Sequence, residues 1–293
     1  MYTEILVPLD GSPLAEEVLP YAQLLATTFQ IPIELLCIVD PETVNADMIG
    51  GLESAWAESS SYLEGIARSL TGRLPVKCTI EKGDPATNIV AAAAARTNPL
   101  IAMSTHGRSG VQRWLLGSVA EKTVQGTTHP LLLVRARRKQ THGNAGSLRK
   151  LLVPLDGSLV AEQVLPHVSH LAKTMGLEIV LLRAYEVHVR GHSPRMRQIR
   201  ETVKEAAQMY LDEKAGQLRA DGVASVSCRV ERGDAAARIV RMARELPDNF
   251  IAMGTHGRSG VSRWVLGSVT SRIVRHSSDP VLVIPAAGDG GAD

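Results

Sequence analysis

The sequence predicts an α/β protein made of two duplicated, doubly wound domains, each with a five-stranded parallel sheet flanked by helices. Two observations predict it: an internal repeat, and a regular alternation of apolar, strand-like runs with helical stretches. Residues 6–12 recur as residues 152–158, and residues 100–119 recur as residues 250–269 with 16 of 20 positions identical. An offset of about 150 residues is far too long for a solenoid repeat, so it indicates duplication of a whole domain.

Five short apolar runs in the first half predict strands, because they are rich in Val, Ile and Leu and are bounded by turn residues. The predicted strands are Glu4–Leu9, Ile33–Val39, Val76–Glu81, Leu100–Ser104 and Leu131–Val134. The stretches between them predict helices at Pro13–Phe29, Leu52–Leu70, Pro85–Arg96 and Ser118–Thr127. Alternation of strand and helix favours right-handed crossovers and a parallel sheet. The continuous apolar character of the strands fits a sheet that helices cover on both faces.

The second half repeats this scheme with four additional residues, which we place around residues 186–194. Its second helix is longer and rich in arginine, from about Pro194 to Asp221. The segment that joins the halves is polar and basic and contains Gly and Asn, which is typical of an exposed linker. The predicted organisation is domain 1 at residues 1–137, a linker at 138–148, domain 2 at 149–286 and a flexible tail at 287–293.

Composition excludes several classes of protein. The 293 residues carry a net charge of only +2 and are 3% aromatic, which favours neither electrostatic capture of nucleic acid nor stacking on bases. The three cysteines lie in predicted strands without a CxxC pair, so we interpret them as reduced core thiols. No apolar run approaches the roughly 20 residues of a membrane helix, and no signal peptide precedes the first strand. We therefore expect a cytoplasmic protein with no membrane and no nucleic-acid partner.

A glycine-rich loop follows the fourth predicted strand, at the end where open parallel sheets bind ligands. In the second half it reads Gly254, two residues, Gly257, nine residues, then Gly267 and Ser268. Glycines let backbone N–H groups approach a phosphate, and Ser268 is expected to cap a helix whose positive dipole end faces that phosphate. Arg258, within the loop, adds a charge-assisted bond. The pattern predicts an anion site, although glycine and serine before a helix are also typical of an ordinary turn and cap.

An aspartate stands directly after the first strand of each half, as Asp10 and Asp156. Across the crevice from the loop, either carboxylate suits ribose hydroxyls or a divalent ion. Neither GxGxxG after strand one nor GxxxxGK[ST] is present, so the sequence predicts neither a Rossmann dinucleotide site nor a P-loop. Asp84 and Asp234 precede the third helices, and we interpret them first as helix caps and second as lining the crevice.

These segments resemble the universal stress protein family. That family's pattern of G-x-x-G, nine residues and G-[ST] is matched at every position in the second half, and the Val-Pro-Leu-Asp-Gly-Ser ending of strand one and the last strand also look like it. The resemblance covers nearly the whole chain, twice, and implies a Rossmann-like, adenine nucleotide alpha hydrolase-like fold that binds ATP, with Mg. It implies adenine contacts at Pro8, Asp10 and Ile38, and at Pro154, Asp156 and Ala184. It implies phosphate loops at Gly107, Arg108, Gly117 and Ser118, and at Gly254, Gly257, Arg258, Gly267 and Ser268.

The first half departs from the pattern at Ser104, which replaces the first glycine. The Cβ atom of a serine is unfavourable if the backbone there has a positive φ or touches the ligand. We therefore predict that ATP binds both halves, and more weakly the first.

Three hypotheses about function follow. The first is a nucleotide-binding regulatory protein with little or no turnover, since no P-loop lysine, Ser-His-Asp set or paired carboxylates accompany the loop. The second is a slow Mg-dependent ATPase, in which Asp156 with Mg²⁺ and Arg258 stabilise a leaving phosphate. The third is a nucleotide-free interaction protein, against which the complete glycine pattern of the second half argues. No residue is assigned a catalytic role.

The duplication also suggests how the two halves associate. Single-domain members of the family typically pair through their last strands. Here Leu131–Val134 and Val281–Ile284 are expected to pair within one chain as a pseudo-dimer, which would bury two sheet edges. Whether such chains then form a homodimer stays open.

Overall fold

The computed structural model describes residues 2–43, 51–70, 74–107, 116–135, 148–187, 193–255 and 266–286. The chain divides into two compact units, Met1–Thr141 and His142–Asp293. Residues 138–147 of the predicted linker and the predicted tail at 287–293 lie outside the described residues.

The first unit contains a parallel sheet of five strands in the order β3-β2-β1-β4-β5. Its elements are β1 (Glu4–Leu9), α1 (Pro13–Glu16), α2 (Leu19–Phe29), β2 (Ile33–Val39), α3 (Gly51–Ser69), β3 (Val76–Lys82), α4 (Pro85–Ala94), β4 (Pro99–Ser104), α5 (Ser118–Gly126) and β5 (Leu131–Val134). The α/β fold and the parallel sheet predicted from the sequence are confirmed.

The second unit repeats this arrangement with the order β8-β7-β6-β9-β10. Its elements are β6 (Lys150–Pro154), α6 (Leu159–Glu162), α7 (Leu165–Met175), β7 (Glu178–Tyr185), α8 (Pro194–Ala220), β8 (Val226–Arg232), α9 (Ala235–Glu245), β9 (Asn249–Gly254), α10 (Ser268–His276) and β10 (Val281–Ile284). The longer second helix is present, since α8 has 27 residues where α3 has 19.

The single helix predicted at Pro13–Phe29 is wrong, because the structure divides it into α1 and α2. Pro20 is the reason: it has no N–H to donate to the carbonyl of Glu16, and its ring would clash with that carbonyl in a continuous helix. Pro166 produces the same division between α6 and α7 in the second unit.

The central strands form the core of each unit. Fewer residues are buried on β3 and β8, which lie at one end of each sheet. Ile5, Leu6 and Ile101 have no accessible surface, as expected for strands that helices cover on both faces. By contrast, Cys78 on β3 is exposed and Cys228 on β8 is partly exposed, so their predicted core location is wrong, whereas Cys37 is buried. A terminal strand has a neighbouring strand on one side only, which leaves part of its surface to solvent.

None of the described helices combines the length and the apolarity needed to cross a membrane.

The strand order places a crevice at one edge of each sheet. From β1 the chain winds outward through β2 and β3, and it then returns to the other side of β1 as β4 and β5. The direction of winding therefore changes between β1 and β4, and the helices that follow these two strands diverge there. A crevice at the carboxyl ends of such strands is where open α/β sheets bind ligands.

Candidate functional site

Each unit has a cavity at this position, and most of the residues predicted from the sequence line it. The first cavity, of about 390 Å³, is lined by Pro8, Asp10, Ile38, Gly107, Gly117 and Ser118 among others. The second, of about 270 Å³, is lined by Pro154, Asp156, Ala184, Gly254, Gly267 and Ser268 among others. Three predicted site residues, Arg108, Gly257 and Arg258, lie outside the described residues. Segments about 100 residues apart in sequence thus meet around one cavity in each unit.

The carboxylate after the first strand is held in one orientation by its own loop. Oδ1 of Asp10 accepts hydrogen bonds from the backbone N–H of Ser12 at 2.9 Å and from its hydroxyl at 2.6 Å. Ser12 Oγ in turn accepts the N–H of Ala15 and so caps α1. Asp156 and Ser158 repeat the arrangement at 2.9 and 2.7 Å. These bonds fix the side chain of Asp10 and leave Oδ2 directed across the crevice toward Gly107.

The close approach of the Asp10 carboxylate explains why residue 107 is a glycine. A Cβ atom on Gly107 would overlap Oδ2 of Asp10, although the backbone there is outside the left-handed region. Gly117, at the far end of the same loop, is similarly tight: a Cβ atom would lie 3.0 Å from the carbonyl oxygen of Thr105. Any larger side chain at either position therefore displaces backbone or carboxylate at the cavity wall.

The two ends of the loop are joined by main-chain hydrogen bonds. The N–H of Gly117 donates to the carbonyl of Thr105 at 2.9 Å, and the N–H of Thr105 donates to Val134 at 2.9 Å. In the second unit, Gly267 donates to Thr255 at 2.8 Å. The start of the following helix is therefore fixed against the end of β4 or β9, beside the cavity.

The predicted helix cap at Ser268 is wrong, because Gly267 occupies the cap position and Ser268 is the first helical residue. The carbonyl of Gly267 accepts the N–H of Ser271 at 2.8 Å, and φ of −53° and ψ of 147° at Gly267 are typical of a cap residue. Gly117 holds the same position before α5.

A glycine cap has no side chain to bind the first-turn N–H groups. Elsewhere in the chain Asp84 and Asp234 do bind them, accepting the N–H groups of Thr87 and Ala237 at 2.9 Å. The first turn of α5 instead lines the cavity with its N–H groups not bound by a cap side chain. Such N–H groups, at the positive end of a helix dipole, favour an anion.

The predicted caps Asp84 and Asp234 are confirmed, and each also pairs with a cation on the next helix. Hydrogen bonds from Thr87 and the nearby charge of Lys122 hold the pKa of Asp84 below its usual range. Lys122 Nζ lies 3.8 Å from Asp84, and Arg272 lies 2.8 Å from Asp234. Asp84 and Lys122 both line the first cavity, so a carboxylate and an ammonium group stand at its rim.

Two charged residues that line the first cavity, Asp40 and Lys122, were not identified from the sequence. Asp40 directly follows β2, so the rule that singled out Asp10 after β1 would have found it. Lys122 is four residues after Ser118, one helical turn into α5, and carries no motif that would have identified it.

The two units hold the glycine-rich loop differently at its start. Ser104 and Gly254 both end a strand with extended backbone, so a positive φ is not what distinguishes them. In the first unit, Ser104 Oγ accepts the backbone N–H of His106 at 3.3 Å. In the second unit, the hydroxyl of Thr270 donates to the carbonyl of Gly254 at 3.0 Å, where the first unit has Ala120.

The donor set suits a phosphate-bearing ligand better than a protein-held metal ion. Main-chain N–H groups, glycines and the fixed carboxylate of Asp10 or Asp156 line each cavity, and both volumes are near the lower end of small-ligand pockets. Among the described residues, no group of three or more His, Cys, Asp or Glu side chains could hold a metal ion. Mg²⁺ usually binds through substrate phosphates, water and one or two carboxylates, a role that Asp10 or Asp40 fits.

Comparison with known proteins agrees with the duplicated fold. The model of the universal stress protein family matches residues 1–135 and 147–285. The chain belongs to the universal stress protein family. A universal stress protein of Mycolicibacterium smegmatis is 24% identical over 291 residues, which is 96% of each chain. The structure of a universal stress protein from Archaeoglobus fulgidus covers 98% of this chain and 97% of its own, with 21% identity and a TM-score of 0.72. Another universal stress protein, solved in complex with cAMP, covers 48% of this chain with 20% identity and a TM-score of 0.38.

Proposed function

We propose that this universal stress protein binds ATP, with Mg²⁺, in the cavity of each unit, and acts as a nucleotide-dependent regulatory protein with little or no turnover. The observation that carries the proposal is the glycine-capped helix whose first turn lines each cavity together with a fixed carboxylate. The same arrangement occurs twice, in units that differ at many other positions.

Residues on the two sides of the crevice would contact different parts of the ligand. Pro8, Ile38 and the side chain of Asp10 form the wall at the ends of β1 and β2, which suits the adenine ring and the ribose hydroxyls. The N–H groups in the first turn of α5, which begins at Ser118, suit the phosphates on the opposite side. Pro154, Ala184 and Asp156 would have the same role in the second unit. When bound, Mg²⁺ would neutralise phosphate charge that Asp10 and Asp40 in the first cavity, and Asp156 in the second, otherwise repel.

Little turnover is expected because the fixed carboxylate is already engaged. Oδ1 of Asp10 accepts two hydrogen bonds from Ser12, which hold the carboxylate in one orientation against its own loop. The sequence also lacks the P-loop lysine with which many ATPases bind the terminal phosphates. Binding and positioning are therefore the functions that these residues support.

Two measurements test the proposal. Mass spectrometry of the denatured, freshly purified chain is expected to release adenine nucleotide, and calorimetry with Mg-ATP is expected to give two sites per chain. Gly117→Ala and Gly267→Ala are expected to remove one site each, because the cap positions face the cavity. Gly216→Ala, where a Cβ atom meets nothing within 4 Å, is the matched control and should bind as the wild type does. Absence of retained nucleotide, together with absence of heat or thermal shift at millimolar ATP, would instead favour the nucleotide-free interaction protein.

Slow Mg-dependent hydrolysis is the second candidate, and the pairing of Lys122 with Asp84 at the rim of the first cavity favours it. This ammonium group lines the same cavity as Asp10, so a cation and a carboxylate face the space proposed for the phosphates. Phosphate release should then reach several per second and fall to background in a Lys122→Ala chain that still binds ATP. Release indistinguishable from that of buffer supports the regulatory assignment.

A further inference from the structure

The second long helix of each unit, α3 or α8, continues beyond the core against which it packs. In α8 the fully buried side chains begin at Ala207 and continue to Leu218, while residues 194–206 include none. Those thirteen residues form about 20 Å of helix. In α3 the buried residue is Leu63, twelve residues after the helix begins at Gly51. The first half of each helix therefore contains no fully buried side chain.

The core-facing apolar side of α3 continues into this first half and is exposed there. Leu52 and Trp56 precede Leu63 by eleven and seven residues, which places them on the same side of the helix. Yet 37% of Leu52 and 42% of Trp56 is accessible, which makes them two of the few exposed large apolar residues among those described. We call Leu52 and Trp56 the α3 stripe.

The corresponding side of α8 is apolar over the same length. Met196, Ile199 and Val203 precede Ala207 by eleven, eight and four residues, so they extend its core-facing side. All three are half-buried. We call Met196, Ile199 and Val203 the α8 stripe.

Opposite charges flank the two stripes. Residues 51–60 of α3 carry two carboxylates, Glu53 and Glu58, and no cation. Residues 194–206 of α8 carry four cations and two carboxylates, and Arg195 and Lys204 fall on either side of the α8 stripe at 100° per residue. Glu53, Arg195 and Lys204 flank the stripes, whereas Glu58 lies about 140° around the helix from the α3 stripe; all four are exposed residues. An acidic-flanked apolar stripe and a basic-flanked apolar stripe are complementary in charge and in character.

We propose that the α3 stripe of one copy of this chain docks on the α8 stripe of a second copy. The occupant is a second copy because each stripe carries the charge that the other needs, and both belong to the same chain. The contact is heterologous, so it either closes into a small ring or pair, or continues from chain to chain. It is independent of nucleotide, since neither stripe lines either of the two cavities described above.

Charge exchange between full-length chains tests the proposal by sedimentation velocity. The wild type is expected to self-associate at concentrations of about 10–200 μM in low salt, and less in high salt because the flanking charges are exposed. Glu53→Lys with Glu58→Lys makes both stripes basic-flanked, and Arg195→Glu with Lys204→Glu makes both acidic-flanked. Each double variant alone should associate about tenfold or more weakly than the wild type.

The decisive sample is an equimolar mixture of the two double variants. Each stripe of one variant then meets a stripe of opposite charge on the other, so association should return to the wild-type level. Glu205→Lys, on the opposite side of α8, is the control and should associate as the wild type does; circular dichroism verifies that all variants are folded. A monomeric wild type, variants that associate unchanged, or a folded mixture that stays monomeric would each overturn the proposal.

Discussion

Oδ2 of Asp10 occupies the space that a Cβ atom on Gly107 would fill. The carboxylate cannot easily turn away, because Ser12 holds Oδ1 with two hydrogen bonds. Strand β1 and the loop after β4 therefore constrain each other at the wall of the first cavity.

Substitution Gly107→Ala is expected to lower ATP affinity at the first site by about tenfold or more, because the methyl group must displace either the loop or the Asp10 carboxylate. Calorimetry with Mg-ATP measures the change, and the second site should be unaffected. Gly65→Ala is the matched control: nothing lies within 4 Å of its Cβ position, and in the helix α3 alanine should raise stability by up to about 1 kcal/mol. If the ATP affinity of the first site is unchanged in Gly107→Ala, this glycine is not needed for ligand binding.

The hydrogen bond at Ser104 predicts the opposite result. Ser104→Gly releases the N–H of His106 from Ser104 Oγ, so that this N–H becomes available to a phosphate. We expect several-fold tighter ATP binding at the first site, which corresponds to about 1 kcal/mol. Measuring it in a Gly267→Ala background isolates the first site. Equal ATP affinities in the serine and glycine forms would show that Ser104 does not weaken binding at the first site.

The hydroxyl of Thr270 has a structural role that two substitutions can isolate. Thr270→Val keeps the shape but removes the buried bond to the carbonyl of Gly254, and should lower the free energy of unfolding by about 1–2 kcal/mol. Thr270→Ser retains the hydroxyl and should preserve that bond. Denaturant unfolding measures both. A valine variant as stable as the wild type would show that this hydrogen bond does not stabilise the fold.

A buried carboxylate in the first unit predicts acid sensitivity. Burial alone would raise the pKa of Glu34, but hydrogen bonds from Arg96, Thr79 and Lys77 lower it below its usual range. Its contribution to stability is therefore complete above the ordinary glutamate pKa and is lost as the pH falls through the lowered value.

Arg96→Ala removes the strongest of these partners and leaves Glu34, whose side chain is only 4% exposed, without its main counter-charge. We expect a loss of about 2–4 kcal/mol at neutral pH and acid unfolding at a higher pH than in the wild type. Arg68→Ala, which breaks an exposed pair with Glu64, should cost less than about 0.5 kcal/mol. Unfolding curves from pH 3 to 8 compare them.

Local patterns were sufficient for the order and type of the elements and for one side of the cavity. Asp10 was found because it follows a strand, and Gly117 because it belongs to a spaced motif. The cap at Gly267 was not found, since Gly and Ser both cap helices and only the bond from the N–H of Ser271 to the carbonyl of Gly267 decides between them. Likewise, the partners of Glu34 depend on the register of β2 against β3 and on where α4 ends, which no local pattern contains.

Because the two units are fused in one chain, their glycine-rich loops can differ in sequence, which the loops of identical subunits cannot. Two copies of a one-unit protein must share every residue, whereas this chain has serine and alanine at 104 and 120 but glycine and threonine at 254 and 270. Selection can therefore change the ligand affinity proposed for one cavity without changing that of the other. The two units nevertheless remain present in equal numbers, because they belong to one chain. With the proposed nucleotide in both cavities, a single polypeptide would respond over a wider range of ligand concentration than one binding site covers.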